Sequence, residues 1–261
     1  MLNIACWNVN SINVRCESLK QWLLINNPDI VLLQELKCME AQFPKFVLED
    51  LGYNFYLKGQ KSYNGVAIFS KYIADEVNYT FPSNPIESEA RFIEITANTK
   101  IGYVRIMCVY VPNGGMSDEH YEKKLKFLEA LKVYLISIKD NQELVIIGGD
   151  FNVAPEEIDV FNKDKLENVV CFKNEERKLM RSIINNGLVD FYRTLNPNKQ
   201  EFSWWDYRAG AFTKNEGMRI DFLLGNYKTL PLIKNFKMDI SMRSITKPSD
   251  HIPIIAQLVN D

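Results

Sequence analysis

Residues 143–155, ELVIIGGDFNVAP, limit more than any other stretch what this chain can fold into. Residues 144–147 form a short, uninterrupted apolar run bounded by a glutamate and by two glycines. This pattern is typical of a strand that is buried on both faces, although periodicity alone is also compatible with a short buried helix. Gly148 and Gly149 allow the backbone to turn sharply or to approach another group closely. The stretch therefore favours a buried strand that ends in a tightly packed turn.

Two polar side chains follow this apolar run. Asp150 and Asn152 flank Phe151, and in an extended segment alternate residues face the same way, so the carboxylate and the amide would point together. Such a pair at the mouth of a buried strand could position a water molecule or a phosphate. The same residues are equally typical of an Asx turn that only closes the strand. This stretch alone leaves both interpretations open.

The length and the order of the elements predict the domain organisation. A chain of 261 residues can form one large α/β domain or two small ones. Strand and helix patterns alternate without a linker or a low-complexity tract, which favours one α/β domain over residues 1–261. Several strands follow one another without an intervening helix, so the sheets are expected to be mixed. The composition, 46% hydrophobic and 25% charged, is typical of a soluble protein.

Charge and cysteine content restrict the partners and the compartment. The net charge is -2, so a nucleic-acid partner would have to meet a local basic surface. The five cysteines are scattered, odd in number and without metal-type spacing, which predicts the reducing cytoplasm. The chain opens directly on a strand-like run, so no signal peptide is expected, and no apolar run is long enough to predict a membrane span.

Hydrophobic patterning and turn residues predict the individual elements. Helices are expected between residue 11 and Pro28, within 41–51, from Ser117, and from Arg177 to Gly187. The segment 202–215, FSWWDYRAGAFTKN, is aromatic and basic but contains too many turn formers for a long element. The predicted strands span residues 2–7, 29–35, 53–57, 66–70, 91–96, 103–111, 144–147, 218–224, 236–240 and 252–258.

Polar residues recur at one kind of position, at or just beyond the end of an apolar run. Each one taken alone has an ordinary explanation, such as a helix cap or a solvated loop carboxylate. Ligands of α/β proteins nevertheless collect at strand ends, where loops present polar groups above a rigid sheet. The recurrence therefore predicts a functional site formed by Asn8, Glu35, Tyr110, Asp150, Asn152 and His251.

Asp221 differs from these residues because it lies inside a predicted apolar strand. A buried, unpaired carboxylate costs several kcal/mol, so it needs a hydrogen-bonding partner. His251 is the attractive partner, since a carboxylate fixes the tautomer of an imidazole and favours its cation. The other histidine, His120, lies in the first turn of a charged helix and is expected at the surface.

Seven motifs in this order give the chain a recognisable pattern. They are WNVN at 7–10, LQE at 33–35, YVPNG at 110–114, GGDFNVAP at 148–155, SWW at 203–205, GMRIDFLL at 217–224 and SDHIPI at 249–254. The set closely resembles the exonuclease III family of apurinic/apyrimidinic (AP) endonucleases, in particular its bacterial branch. GDFN alone would be weak, because the wider endonuclease/exonuclease/phosphatase superfamily shares it.

The resemblance implies a fold and an activity. The implied fold is a four-layer α/β sandwich of the DNase I-like type, with two mixed β-sheets packed face to face and helices outside. The implied activity is Mg²⁺-dependent hydrolysis of the DNA backbone 5′ to an abasic site, with Mn²⁺ as a substitute ion. Removal of 3′ blocking groups and 3′-to-5′ exonuclease activity on duplex DNA are implied as well. The expected partner is damaged double-stranded DNA, bound by a monomer.

Motif by motif, the resemblance also implies roles for residues. Glu35 matches the principal metal carboxylate, with Asn8 beside it and Asp250 near the metal shell. Asp150 matches the residue that activates or orients the attacking water, and Asn152 matches the amide that holds that water or the phosphate. These types suit the chemistry, because a hard cation held by oxygen ligands stabilises the charge that develops on phosphate oxygens.

The remaining implied roles concern the substrate. Tyr110 matches a catalytic position beside the phosphate, and Asp221 with His251 matches a carboxylate–imidazole pair. The flipped abasic sugar would enter a pocket with an apolar wall, although the residues of this wall could equally belong to the core. The residues expected to contact the substrate are Asn113, Trp204, Met218, Arg219 and Ile220.

Some departures and two alternative functions remain open. Asn10 stands where some family members carry an aspartate, Met116 where some insert an arginine into DNA, and Met218 where some have tryptophan. A superfamily hydrolase acting on phosphoinositides or sphingolipids would use the same metal site but would leave the SWW and GMRID segments unexplained. A catalytically silent nucleic-acid-binding regulator is the other alternative, and the retention of every catalytic position speaks against it.

Overall fold

Two six-stranded sheets lie face to face in the computed structural model, which describes residues 1–141 and 143–260. The strands are β1 (Leu2–Asn8), β2 (Ile30–Gln34), β3 (Asn54–Lys58), β4 (Val66–Ser70), β5 (Glu76–Asn78), β6 (Phe92–Thr99), β7 (Gly102–Tyr110), β8 (Leu144–Asp150), β9 (Leu188–Asp190), β10 (Asp221–Asn226), β11 (Ile233–Met238) and β12 (Ile254–Leu258). The first sheet has the order β11-β12-β1-β2-β4-β3, and the second has the order β5-β6-β7-β8-β10-β9.

Each sheet is mixed and contains a parallel pair near its middle. Strands β1 and β2 are parallel in the first sheet, β7 and β8 are parallel in the second, and the other pairings are antiparallel. A helix connects the members of each parallel pair, because parallel strands need a crossover. The α-helices are α1 (Ile12–Asn26), α2 (Lys45–Leu48), α3 (Asp118–Ile138), α4 (Lys163–Leu166), α5 (Asn174–Asn185) and α6 (Phe191–Leu195). Short 3-10 turns lie at Glu40–Gln42, Glu49–Leu51, Glu157–Asp159, Tyr227–Leu232 and Ile240–Arg243.

The alternation of side chains along the strands produces the layers. In β1, Leu2 and Ile4 pack between the two sheets, whereas Ala5 and Trp7 pack against α1. On the other side, α3 and α5 cover the outer face of the second sheet through an apolar cluster that includes Phe127. The order of layers is helix, sheet, sheet, helix, so the predicted four-layer DNase I-like sandwich is confirmed. Within the described residues, no helix is both long and apolar enough to span a membrane.

This topology brings strand ends from both sheets to one edge of the sandwich. The parallel strands β1, β2, β7 and β8 end there. Strand β12 is antiparallel to β1, and β10 is antiparallel to β8, so these two strands begin at the same edge. The sequence prediction that polar residues at the ends of apolar runs would meet therefore holds, with His251 and Asp221 placed at strand beginnings.

Several elements differ from the sequence prediction. Helix α5 begins at Asn174 and not at Arg177, because Glu176 accepts a hydrogen bond from the Lys173 amide and caps the first turn. The strand predicted at 218–224 begins only at Asp221, and Met218 forms isolated bridges with Val160 and Trp204. Strands β5 and β9 and helices α4 and α6 were not predicted, because each is short and has no clear period.

Candidate active site

A pocket of about 450 Å³ opens at the shared edge of the two sheets. It contains side chains that follow β2, β7 and β8 as well as side chains from the loops before β10 and β12. All the predicted site residues line it except Asn8, Asp221 and Arg219. Several residues around it have positive φ, which is uncommon outside glycine and concentrates at functional sites: Asn10, Ser11, Glu35, Lys37, Asn152 and Cys171.

A single buried amide connects the two sheets at the floor of this pocket. The Nδ2 atom of Asn8 donates to Glu35 Oε1 over 2.8 Å and to Asp150 Oδ2 over 2.9 Å. Its own Oδ1 accepts from the Asn10 amide at 2.9 Å. Asn8 is the last residue of β1 and is fully buried, so its amide is fixed by the strand. This geometry makes Asn8 an orienting group for the two carboxylates.

The carboxylate–imidazole pair expected from the sequence is present. Asp221 Oδ2 lies 2.9 Å from His251 Nδ1, and His251 Nε2 lies 3.6 Å from Asp150 Oδ2. Although burial disfavours the imidazolium, Asp221 and Asp150 raise the pKa of His251 to about 10. His251 is therefore a cation at neutral pH, held by Asp221 from behind and facing Asp150.

Asp150 lies between charges of both signs. Burial raises its pKa to about 7 and the nearby carboxylates of Asp221 and Glu35 act in the same direction, while His251 opposes them. Its Oδ1 accepts from the Asn152 backbone amide at 2.9 Å, so the Asx turn considered from the sequence is formed. Asn152 has φ of 50°, so the extended geometry expected for residues 150–152 is wrong. The left-handed turn nevertheless leaves both side chains in the pocket.

The donor chemistry of the pocket fits a hard cation. Donor atoms of Glu35, Asp150 and His251 lie within 4.8 Å of one another, and they form the one such group in the described residues. Asp221 and Asp150 favour the protonated form of His251, and a protonated imidazole donates hydrogen bonds and does not bind a cation. Carboxylate oxygens then remain, and these are the ligands that Mg²⁺ and Mn²⁺ accept. Asp250, expected near the metal shell, is not part of this group.

Two further amides and a phenol lie on the other side of Asp150. Asn113 Nδ2 donates to Asn152 Oδ1 over 3.0 Å, and Asn152 Nδ2 donates to the Val111 carbonyl over 3.0 Å. Burial and the carboxylates of Glu35 and Asp150 raise the pKa of Tyr110 well above its ordinary value, so its hydroxyl stays protonated. The Arg91 guanidinium lies 4.8 Å from the centre of the Tyr110 ring and fixes its position. These groups offer hydrogen-bond donors around a shared space.

The wall opposite the amides is apolar. Trp204, Met218 and Ile220 line it, and Met218 and Ile220 also belong to a buried cluster, so both sequence interpretations of these residues apply. The indole of Trp204 donates to Asp250 Oδ2 over 3.0 Å. Asp250 Oδ1 accepts from Asn10 Nδ2 at 2.9 Å. Asp250 therefore fixes the Trp204 ring at the rim of the pocket.

Arg219 is not where the sequence placed it. Its Nε donates to Asp159 Oδ1 and its Nη1 to Asp190 Oδ2, both over 2.7 Å, and its side chain is buried. The guanidinium also lies 4.4 Å from the centre of the Phe222 ring. Because Met218 and Ile220 face the pocket, the residue between them points the other way. The expected contact of Arg219 with the substrate is therefore wrong.

Several pocket residues were not predicted. Asp206 and Arg208 come from the aromatic, basic segment, whereas Val169, Val170 and Cys171 come from the stretch between α4 and α5, for which the sequence predicts no element. No local pattern in that stretch could have revealed them. Met116 and Asn10, which depart from the pattern of some family members, lie outside the pocket lining. Met116 is exposed. Asn10 accepts a hydrogen bond from Lys37, and Lys37 also forms an ion pair with Glu35 over 2.8 Å.

Comparisons with known proteins agree with this geometry. A sequence model of the Endonuclease/Exonuclease/phosphatase family matches residues 5–251. Exodeoxyribonuclease III of Haemophilus influenzae is 32% identical over 260 residues, which cover 96% of this chain and 97% of that protein. An AP endonuclease from Archaeoglobus fulgidus superposes with a TM-score of 0.94 at 37% identity, and a 3′ phosphatase from Neisseria bound to a product DNA hairpin superposes with a TM-score of 0.94 at 31% identity. Both alignments cover 100% of this chain and 100% of the other.

Proposed function

The chain belongs to the exonuclease III branch of the endonuclease/exonuclease/phosphatase family, and from this premise we propose that it cleaves the DNA backbone 5′ to abasic sites with Mg²⁺ as its cofactor. The family membership predicted from the seven motifs is confirmed, and with it a DNA-repair nuclease that hydrolyses phosphodiester bonds. We further propose that the same site removes blocked 3′ ends and degrades duplex DNA from its 3′ ends.

One observation carries the proposal. A continuous set of contacts runs from Glu35 through Asn8 to Asp150 and on to His251 and Asp221, and it joins both sheets. It combines carboxylates that attract a hard cation with an imidazolium that attracts a phosphate oxygen. A binding module that had lost its activity would not need the carboxylate oxygens of Glu35 and Asp150 within 4.8 Å of each other, because their mutual repulsion has a cost.

Each residue around the pocket has its own proposed role in the reaction. Asp150 is proposed to accept or direct the proton of the attacking water, since it lies at the centre of the set. His251 would donate from Nε2 to a phosphate oxygen, with Asp221 holding the ring at Nδ1. Asn152, Asn113 and Tyr110 would add neutral donors on the other side, where they stabilise charge as it develops.

Glu35 would hold the metal ion, with Asn8 fixing the orientation of its carboxylate. When bound, Mg²⁺ or Mn²⁺ supplies positive charge that polarises the phosphate and stabilises the developing oxyanion. The crowding of Glu35, Asp150 and Asp221 supports this assignment, because the three carboxylates would otherwise repel both one another and the DNA.

The apolar wall supports an abasic sugar as the preferred group. A sugar without its base is small, and flipping it out of the duplex costs less than flipping a complete nucleotide. Trp204, Met218 and Ile220 would contact the bare sugar with their apolar surface. Neither an inositol phosphate nor a sphingolipid headgroup would require this wall. The solved relatives include both an AP endonuclease and a 3′ phosphatase, which supports the proposal of several activities at one site.

The reducing cytoplasm is proposed as the working compartment, because all five cysteines are buried free thiols. A monomer is proposed as the active form, since one chain supplies every group of the set.

The test is digestion of end-labelled duplexes that carry an abasic site, a 3′-phosphate or neither, with and without Mg²⁺. We expect Mg²⁺-dependent cleavage at the abasic site and release of the 3′-phosphate. An inositol phosphate serves as the comparison substrate. If the protein cleaves the inositol phosphate and leaves the abasic DNA uncleaved, the proposed substrate is refuted. If cleavage of the abasic DNA persists in EDTA, the metal requirement is refuted.

A further inference from the structure

A lysine is buried behind the amide side of the active site. Lys124 lies on α3, and its side chain has no exposed surface. Its ammonium group contacts the carboxylate of Glu176 on α5, which is also fully buried. The remaining two donors bind backbone carbonyl oxygens, that of Asn113 over 3.0 Å and that of Asn152 over 2.7 Å. All three N–H donors of the ammonium group are therefore used.

The two carbonyls belong to the residues whose side-chain amides face the pocket. Asn113 lies in the loop after β7, and Asn152 lies in the loop after β8. Their side chains are joined by the hydrogen bond from Asn113 Nδ2 to Asn152 Oδ1. The stem of Lys124 passes close to the first loop, because a Cβ built on Gly114 would lie 3.0 Å from Lys124 Cδ. One ammonium group thus binds the backbone of both loops behind the pocket, while the side-chain amides of Asn113 and Asn152 meet in the pocket.

Stability alone gives no reason for a charged pair at this position. Replacing a buried ion pair by apolar residues of similar volume is often neutral or stabilising, because the desolvation of both charges is avoided. Apolar side chains could not bind the two carbonyl groups, however. The use of both remaining donors on the two substrate-facing loops points to a role in geometry.

We propose that Lys124 is a positioning residue of the active site. It sets the distance between the loops of Asn113 and Asn152, so that their amides converge on the phosphate. Glu176 compensates its charge. This inference rests on the proposed function, since it concerns how that site holds its substrate.

The test replaces the pair as a unit, Lys124→Met with Glu176→Met, so that neither charge is left alone. We expect a folded variant with a lower melting temperature, because the cap of α5 and two buried carbonyl groups lose a partner. Binding of abasic duplex in EDTA should be unchanged. Single-turnover cleavage should fall by about 10- to 100-fold, since a displacement of about 1 Å can cost that much. In an Asn152→Ala background the same pair of substitutions should cause less than about threefold further loss, because both changes disturb one unit.

Two matched variants separate positioning from packing. Glu176→Gln keeps the cap of α5 but removes the counter-charge of the buried ammonium group, so the melting temperature should fall. The lysine bonds to both carbonyls remain, so the folded variant should cleave near the wild-type rate. Lys126→Met alters an exposed lysine on the same helix and should change nothing. An unchanged rate in the double variant, or an equal fold-loss with and without Asn152, would overturn the proposal.

If the double methionine variant does not fold, Lys124→Gln with Glu176→Gln takes its place. Failure of both to fold would also overturn the proposal, because the pair would then maintain the fold. The wild type is measured first on abasic and on 3′-phosphate duplexes. Lack of cleavage of both substrates would refute the proposed function and not the role of Lys124.

Discussion

At the scale of single residues, Asp150 is the group on which turnover should depend most. Asp150→Asn keeps the shape, and its one remaining oxygen can accept either from the Asn8 side chain or from the Asn152 backbone amide. It removes the group that would accept or direct the proton of the water, a role worth roughly 10²–10⁴-fold. We therefore expect an intact fold, intact DNA binding and a loss of that size in single-turnover cleavage. A rate close to that of the wild type would remove Asp150 from this role.

Glu35 should affect the metal ion more than the DNA. Glu35→Ala removes an anionic oxygen from the group of donors, and a hard cation binds less tightly with fewer such ligands. We expect the Mg²⁺ concentration for half-maximal activity to rise at least about tenfold, with unchanged DNA affinity in EDTA. Glu129→Ala on the exposed side of α3 is the control and should leave the titration unchanged. An unchanged half-saturation in Glu35→Ala would place the ion elsewhere.

The residues that the sequence predicted differ from those it missed in a physical way. Glu35 and Asp150 stand at the ends of apolar runs, and a polar residue in such a position can be recognised from the sequence alone. Lys124 was not predicted, because within a charged helix it resembles any solvated lysine. Only the packing of α3 against α5 reveals that it is buried. Cys171 was missed for the same reason, since its place in the pocket depends on long-range contacts.

At the scale of elements, Arg219 shows why alternation along a segment matters. The motif around it suggested a contact with the substrate, but the side chain joins Asp159 and Asp190 beneath the pocket. The network connects a 3-10 turn, β9 and the segment leading into β10, so it fixes the start of the strand that carries Asp221. A motif identifies such a residue as important without indicating which side of the chain it faces.

The network yields a prediction about stability. Arg219→Ala leaves Asp190 buried without its partner, while Asp159 keeps Arg193 at 2.6 Å. Breaking a buried ion pair by removing one member costs about 3–5 kcal/mol, so the free energy of unfolding should fall by that amount in urea titrations. Arg208→Ala, which removes an exposed ion pair with Asp206, should change it little. Equal effects of the two substitutions would contradict the buried network.

At the scale of the whole molecule, the order of the strands could not be derived from periodicity. Strand patterns that follow one another without an intervening helix predicted mixed sheets, and the resemblance to a family implied the four layers. Which strands pair is decided by contacts between distant residues, such as β1 with β12 at the two ends of the chain. The antiparallel course of β10 and β12 explains why Asp221 and His251, at strand beginnings, reach residues at strand ends. No local signal contains this information.

The packing of the two sheets places a histidine of one sheet beside an aspartate of the other. His251 precedes β12 of the first sheet, Asp221 opens β10 of the second, and the 2.9 Å contact between them is made across the sandwich. If Asp221 acts by orienting and charging His251, removing either residue disables one unit. His251→Asn and Asp221→Asn should each lower single-turnover cleavage by about 10²–10³-fold, and the double variant should be little worse than the worse single variant.

His120→Asn controls for the chemical change itself, because His120 is exposed and lies away from the pocket, so its rate should match that of the wild type. Losses that multiply in the double variant would show that His251 and Asp221 act independently. In that case both residues would still belong to the site, but neither would depend on the residue from the other sheet. Coupled losses would instead mean that the protonated imidazole depends on both sheets. One sheet supplies the ring, and the other supplies the carboxylate that favours its protonation.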